Sequence, residues 1–111
     1  MQDKALHYPL AQARSAPVTP SDISSILLRH GSMTLEYYSP RGRDTQTPHS
    51  KDEIYIISKG HGFFRSGSDR FSVKEGDALF VPAKVEHCFE DFSDMFETWV
   101  IFYGPEGGER P

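Results

Sequence analysis

The stretch His49-Ser50-Lys51-Asp52-Glu53-Ile54-Tyr55-Ile56-Ile57-Ser58-Lys59-Gly60 decides how this chain is read. From Glu53 to Ser58 it is rich in isoleucine and carries a tyrosine, the β-branched and aromatic content that packs well on a pleated surface, and Gly60 closes it. Its opening sets an imidazole four positions before a carboxylate. Side chains alternate across a strand, so an inward Glu53 carries Tyr55 and Ile57 inward with it. If His49 ends one strand and Glu53 opens the next across a Ser50-Lys51-Asp52 turn, the two side chains face one interior.

The same texture repeats on both sides. Downstream, His61 to Arg65 restarts the sheet, Ser66-Gly67-Ser68-Asp69 reads as a hairpin turn and Arg70 to Lys74 as its return strand. Ala78 to Val81 is a short apolar strand stopped by Pro82, His87 to Phe92 is another, and a long final strand runs from about Phe96 to Tyr103. Upstream, Ile26-Leu27-Leu28, Gly31 and the alternation Met33 to Tyr38 predict two strands about a turn. Many short strands, with no helix long enough to cross between parallel ones, make an antiparallel sandwich or barrel. The segments EIYIIS and ETWVIFY are apolar on both faces, which fits a sheet covered outside by an arm or by a second subunit and predicts a homodimer.

Composition narrows the class. The 111 residues suffice for one core, with 37% hydrophobic and 13% aromatic residues. A net charge of −4 argues against a phosphate-tracking surface, so nucleic acid is not an expected partner. No apolar run approaches the roughly 20 residues of a bilayer span, and the N-terminal segment lacks the apolar centre of a secretion signal, so a cytoplasmic location without membrane attachment is expected. One cysteine, Cys88, allows no intrachain disulfide. Residues 1–22, with Pro9, Pro17 and Pro20, read as an irregular arm, 23–104 as the barrel, and 105–111 as a flexible tail.

His49, Glu53 and His87 are the candidate metal ligands. By spacing alone the set is weak, because five histidines will often include two near a glutamate, and all three residues could equally be hydrogen-bonded or solvated groups. Two motifs change the weighting. The pattern G-x5-H-x-H-x(3,4)-E-x6-G is met by His49 at the second histidine, Glu53 at the glutamate and Gly60 at the end, with Thr47 in place of the first histidine and Gly42 one residue early. The pattern G-x5-P-x-G-x2-H-x3-N is met by Gly76, Pro82 and His87, with Lys84 in place of the glycine and Asp91 in place of the asparagine. In this the chain resembles the cupin family over residues 32 to 103. The resemblance implies an all-β antiparallel jelly roll, or double-stranded β-helix, holding a divalent ion (iron, manganese, nickel or zinc).

Keeping two of the family's usual three histidines leaves a two-histidine, one-carboxylate set with open coordination positions. Thr47 is a poor ligand, whereas Gln46, one residue earlier, supplies a carbonyl oxygen only if the strand is bulged. The resemblance is compatible with a small metal-dependent enzyme of oxygenase, isomerase or lyase type acting on a small molecule, or with a non-catalytic binding or sensing barrel. Alternation turns Cys88 away from an inward His87, as a packed thiol. His61 reads as a surface histidine, and Asp91, Asp94 and Glu97 as exposed acids near a turn. Tyr55, Phe80, Phe89, Trp99 and Phe102 are expected mostly in the core.

Overall fold

The computed structural model describes residues 3–18 and 23–111. Eight strands follow one short helix: α1 (Leu10–Ser15), β1 (Ser25–His30), β2 (Met33–Tyr38), β3 (Asp52–Lys59), β4 (His61–Ser66), β5 (Asp69–Lys74), β6 (Ala78–Val81), β7 (His87–Glu90) and β8 (Glu97–Tyr103). Strands in the order β1-β2-β8-β3-β6 form one sheet and β5-β4-β7 the other, with every pairing antiparallel. The fold is the all-β jelly roll expected from the pattern of strands and turns.

The core lies between the two sheets. Tyr38, Tyr55, Ile57, Val81 and Val100 of the larger sheet meet Phe64, Val73 and Phe89 of the smaller one, with Phe96 sealing one end. The alternation within EIYIIS holds: Glu53, Tyr55 and Ile57 are buried and point inward. Register carries this face across the sheet, where Glu53 sits beside Phe102 and Tyr55 beside Val100. The next strand continues the same rows, with Phe102 beside Thr34 and Val100 beside Glu36. The inward face of β2 is therefore its polar set, Thr34 and Glu36 followed by Tyr38, while Leu35 faces out.

Turn chemistry supports the strand order. Gly60, between β3 and β4, takes φ +84°, and a Cβ there would lie 2.4 Å from the Ser93 hydroxyl, so the motif's last glycine is needed for both conformation and space. Lys84 stands where the second motif has glycine and keeps the glycine-like φ of 69°, which costs the chain some backbone strain.

Four expectations are corrected. The arm, read as irregular, forms α1, whose six residues are too few to show helical periodicity in the sequence. Its place is set by tertiary contacts, since Ala13 is fully buried and Arg14 reaches β8. The tail turns back on the barrel: Gly107 N–H donates to the Ser50 carbonyl at 2.6 Å, and Glu109 N–H to Asp52 Oδ2 at 2.8 Å. Phe80 is 58% exposed because Leu79 and Val81 take the inward positions of edge strand β6. Glu97, read as a solvated acid, is 2% exposed. It receives hydrogen bonds from Arg14 (2.8 and 3.2 Å) and from the Tyr37 hydroxyl (2.8 Å), with Arg41 at 3.7 Å. Burial, first, and the Glu97 carboxylate push the Tyr37 phenol up to about 12.

Candidate metal centre

Glu53 enters the interior from β3, and His87 from β7 in the facing sheet. His49 comes from an irregular segment, so the condition that His49 end a strand is not met. Pro48 has no N–H to give a ladder, and residues 44–49 are held by other bonds. The His49 carbonyl accepts from Lys84 N–H at 2.5 Å, tying this segment to the loop that precedes His87. Asp44 grips the same segment: Oδ1 accepts from the Tyr38 hydroxyl and Gln46 N–H, Oδ2 from the Gln46 amide nitrogen and Phe89 N–H.

These constraints bring His49, Glu53 and His87 together, with one ligand atom from each lying within 4.8 Å of the others. His49 Nε2 is 3.9 Å from Glu53 Oε2, and His87 Nε2 is 3.0 Å from Glu53 Oε1. Despite that proximity Oε1 lacks a hydrogen bond of acceptable geometry, leaving a buried carboxylate oxygen without a donor. His87 Nδ1 donates to the Val85 carbonyl at 2.8 Å, which turns Nε2 toward the cluster. The Gln46 amide, oriented by Asp44, directs Oε1 inward, 2.7 Å from the Tyr55 hydroxyl and 3.2 Å from His49 Nε2. Tyr55 lies 3.1 Å from His87 Nε2 as well.

The two histidines are tuned apart. Burial lowers His87, yet the Glu53 carboxylate and the Val85 carbonyl outweigh it and hold the imidazole above its ordinary value. Burial lowers His49 and Glu53 only partly offsets it, while His87 adds to the lowering. Burial raises Tyr55 well above the usual phenol range, so it stays a neutral donor.

The cluster opens into a cavity of about 410 Å³, within the common range for small-molecule sites, lined among others by Glu36, Gln46, Thr47, His49, Val100 and Phe102. A buried oxygen without a donor beside two imidazole nitrogens is a donor set that suits a borderline divalent ion. The residues present therefore fit the metal that the fold family implies.

Cys88 faces away from this interior, as expected, and His61 is exposed. Neither motif marks Asp44, because its four hydrogen bonds come from three residues, Tyr38, Gln46 and Phe89, that only the fold brings together. Asp44→Ala is expected to weaken metal binding about tenfold, the usual scale for a residue that orients ligands, and to lower the unfolding midpoint. Isothermal titration with Zn²⁺ beside a thermal melt checks both, and unchanged affinity would separate Asp44 from the site.

The two-sheet jelly roll brings two histidines and a carboxylate together in its interior, a set of residue types whose donor chemistry suits a divalent ion. The chain belongs to the cupin family, whose cupin-domain model matches residues 34–98. It is 32% identical over 81 residues to an uncharacterised protein of Streptomyces coelicolor, covering 71% of this chain and 77% of that one. It is 36% identical over 61 residues to mannose-6-phosphate isomerase 2 of Arabidopsis thaliana, covering 54% of this chain but 14% of the plant protein. Among solved structures, a Ralstonia eutropha protein provisionally assigned as a mannose-6-phosphate isomerase superposes with TM-score 0.70 at 21% identity, over 91% of this chain and 100% of that one. A Rhizobium leguminosarum protein of unknown function superposes with TM-score 0.75 at 14% identity, over 93% and 100%. At these identities the structural likeness establishes the fold. No helix among the described residues is long and apolar enough to cross a membrane.

Proposed function

We propose that this cupin binds a divalent ion, iron, manganese, nickel or zinc, through His49, Glu53 and His87, and presents it to a small molecule entering the cavity. The observation that carries the reading is the convergence of three ligand atoms within 4.8 Å around a buried carboxylate whose Oε1 accepts no hydrogen bond and has His87 Nε2 as its near neighbour at 3.0 Å. Leaving such a group unpaired is costly, and a cation removes the cost. When bound, the ion supplies Lewis-acid polarisation of a ligand oxygen. The chain does the rest. Val85 holds the His87 ring in place, and Gln46 offers its amide oxygen to the same centre. Val100 and Phe102 form an apolar wall that limits water. Elemental analysis of untagged protein beside His49→Ala tests the reading: near-stoichiometric metal in the parent and its loss in the variant are expected, and a metal-free parent after reconstitution would refute it.

A catalytic version, in which the bound molecule is isomerised, is favoured by the identity shared with the Arabidopsis isomerase. Turnover of sugar substrates that vanishes in His49→Ala would support it, and binding without turnover would leave a binding barrel.

Metal affinity should fall on acidification, because each imidazole must be unprotonated to ligate. His87, with its raised pKa, loses the competition to protons first, at a higher pH than an ordinary histidine; His49, with its lowered pKa, follows at lower pH. The slope of log affinity against pH should thus rise toward one and then toward two as pH falls through the range in which histidines protonate. In the apo protein the two imidazoles act in opposite directions: the lowered His49 costs stability as pH falls, whereas His87 adds it. Protonated His87 beside Glu53 adds stability that is present below its unfolded pKa of about 6.5 and lost as pH rises through the folded value. Zinc titrations and apo melts across this range check the two signs.

We also propose a homodimer in the cytoplasm. Support for the dimer comes from the outer face of the larger sheet, where Phe80, Ile54, Ile101, Leu35 and Leu28 fall in one row across five strands, none fully buried. Light scattering should give about twice 12.6 kDa, and Ile101→Glu should halve it; a monomeric parent would overturn the proposal.

A further inference from the structure

We propose that the ligand of this cavity is an uncharged, hydroxyl-bearing molecule held by Glu36, and that its phosphorylated counterpart is disfavoured. The inference rests on the metal-site reading above. It begins with a carboxylate that the metal ligands do not explain. Glu36 is 8% exposed and lines the same cavity as His49 and Glu53. Register places Glu36 beside Val100 and Val100 beside Tyr55, so Glu36 stands in the row of Tyr55, two strand spacings or about 10 Å across the sheet. An inward acid on the polar face of β2 is expensive unless something uses it.

Local bonds hold it ready. The Ser24 hydroxyl donates to Oε1 and the Thr34 hydroxyl to Oε2 at 2.8 Å. A carboxylate offers about four acceptor sites, so both oxygens keep capacity on the cavity side. Glu36 is thus a fixed acceptor, and its natural complement is a hydroxyl group of the ligand, with Thr45 and Thr47 adding hydroxyls to the same lining.

Charge sets the class. Glu36 and Glu53 bring two negative charges, which one divalent ion balances. Among the described residues lining the cavity none is lysine or arginine. Residues 19–22, which precede the lining residues Ile23 and Ser24, are Thr, Pro, Ser and Asp and add no cation. Arg65 lines an adjoining cavity that shares Gln46 and Thr47 with this one and includes His87, but its guanidinium is engaged there by Glu90 at 2.8 Å. A phosphate dianion placed here would therefore meet a fixed like charge without a cationic partner other than the metal itself, whereas a neutral polyol would meet acceptors. The names of the isomerase relatives would lead one to expect the phosphorylated sugar; the lining of this cavity argues for the neutral one.

The test uses zinc uptake first and then ligand-observed NMR titrations of the zinc-loaded protein with mannose and with mannose 6-phosphate. The parent should bind mannose about tenfold or more tightly than the phosphate. Glu36→Gln, kept saturated with zinc, should weaken mannose binding about tenfold and narrow the gap to the phosphate. Tighter binding of the phosphate overturns the proposal, including the case where Arg65→Ala abolishes that preference. Mannose binding indifferent to Glu36→Gln, or no binding of either sugar by zinc-loaded protein, overturns it too. Absence of zinc uptake is a separate result, which removes the metal reading and this inference with it. The parent's preference between the two sugars is measured without any variant, so a poorly folded Glu36→Gln leaves the proposal exposed to refutation.

Discussion

Replacing His87 with alanine should reduce divalent-metal affinity by at least about 100-fold, more than is usual for loss of an orienting neighbour. His87 supplies one of three candidate ligand atoms and sits 3.0 Å from the Glu53 oxygen that has no hydrogen-bond donor. Its Nδ1 bond to Val85 fixes the ring, so the nitrogen facing the cluster is already in place before an ion arrives. The variant should still fold. The interface between the sheets is made by Tyr55, Ile57, Phe64, Phe89, Phe96 and Val100, all of which remain, and far-UV circular dichroism of the apo variant should match the parent. Zinc titration measures the loss, and His87→Gln, which keeps more of the side-chain volume, distinguishes ligation from packing. Parent-like affinity in both variants would remove His87 from the site.

Glu97→Ala should cost about 3 kcal/mol, because deleting one member of a buried charged network strands its partners. For a domain of this size that is a drop of roughly 10 °C in the unfolding midpoint. Arg14 would lose two hydrogen bonds and the Tyr37 hydroxyl would keep Ser58 alone. The same change tests how the N-terminal arm is held, since Arg14 on α1 is tied to the barrel through Glu97. Arg14→Ala combined with Glu97→Ala should be less damaging than the sum of the two, with coupling of about 1 to 3 kcal/mol. By contrast, the exposed pairs of Glu90 with Arg65 and Arg70 should matter little, as solvent-screened pairs usually do. Equal effects at Glu97 and Glu90 would show that burial of the first does not set its contribution.

The strands were readable because each depends on neighbours in the chain: isoleucine and aromatic alternation in residues 53–58, a hairpin at 66–69, a proline stop at 82. The His49, Glu53 and His87 set was readable from motif spacing, and so was the inward company of Tyr55 and Phe89, since a period of two fixes which residues share a face. What the spacing could not reveal was long-range. Glu97 looks like a surface acid until α1, 83 residues away in sequence, lays Arg14 against it. Asp44 looks like a turn residue until Tyr38, Gln46 and Phe89 converge on its two oxygens. Glu36 sits in an alternation whose apolar members seem bound for the core, and register with β8 turns the polar members to the cavity instead. Local propensity and side-chain period write the elements into the chain, but which face meets the core, and which buried charge finds a partner, depend on strand pairing across the whole sheet.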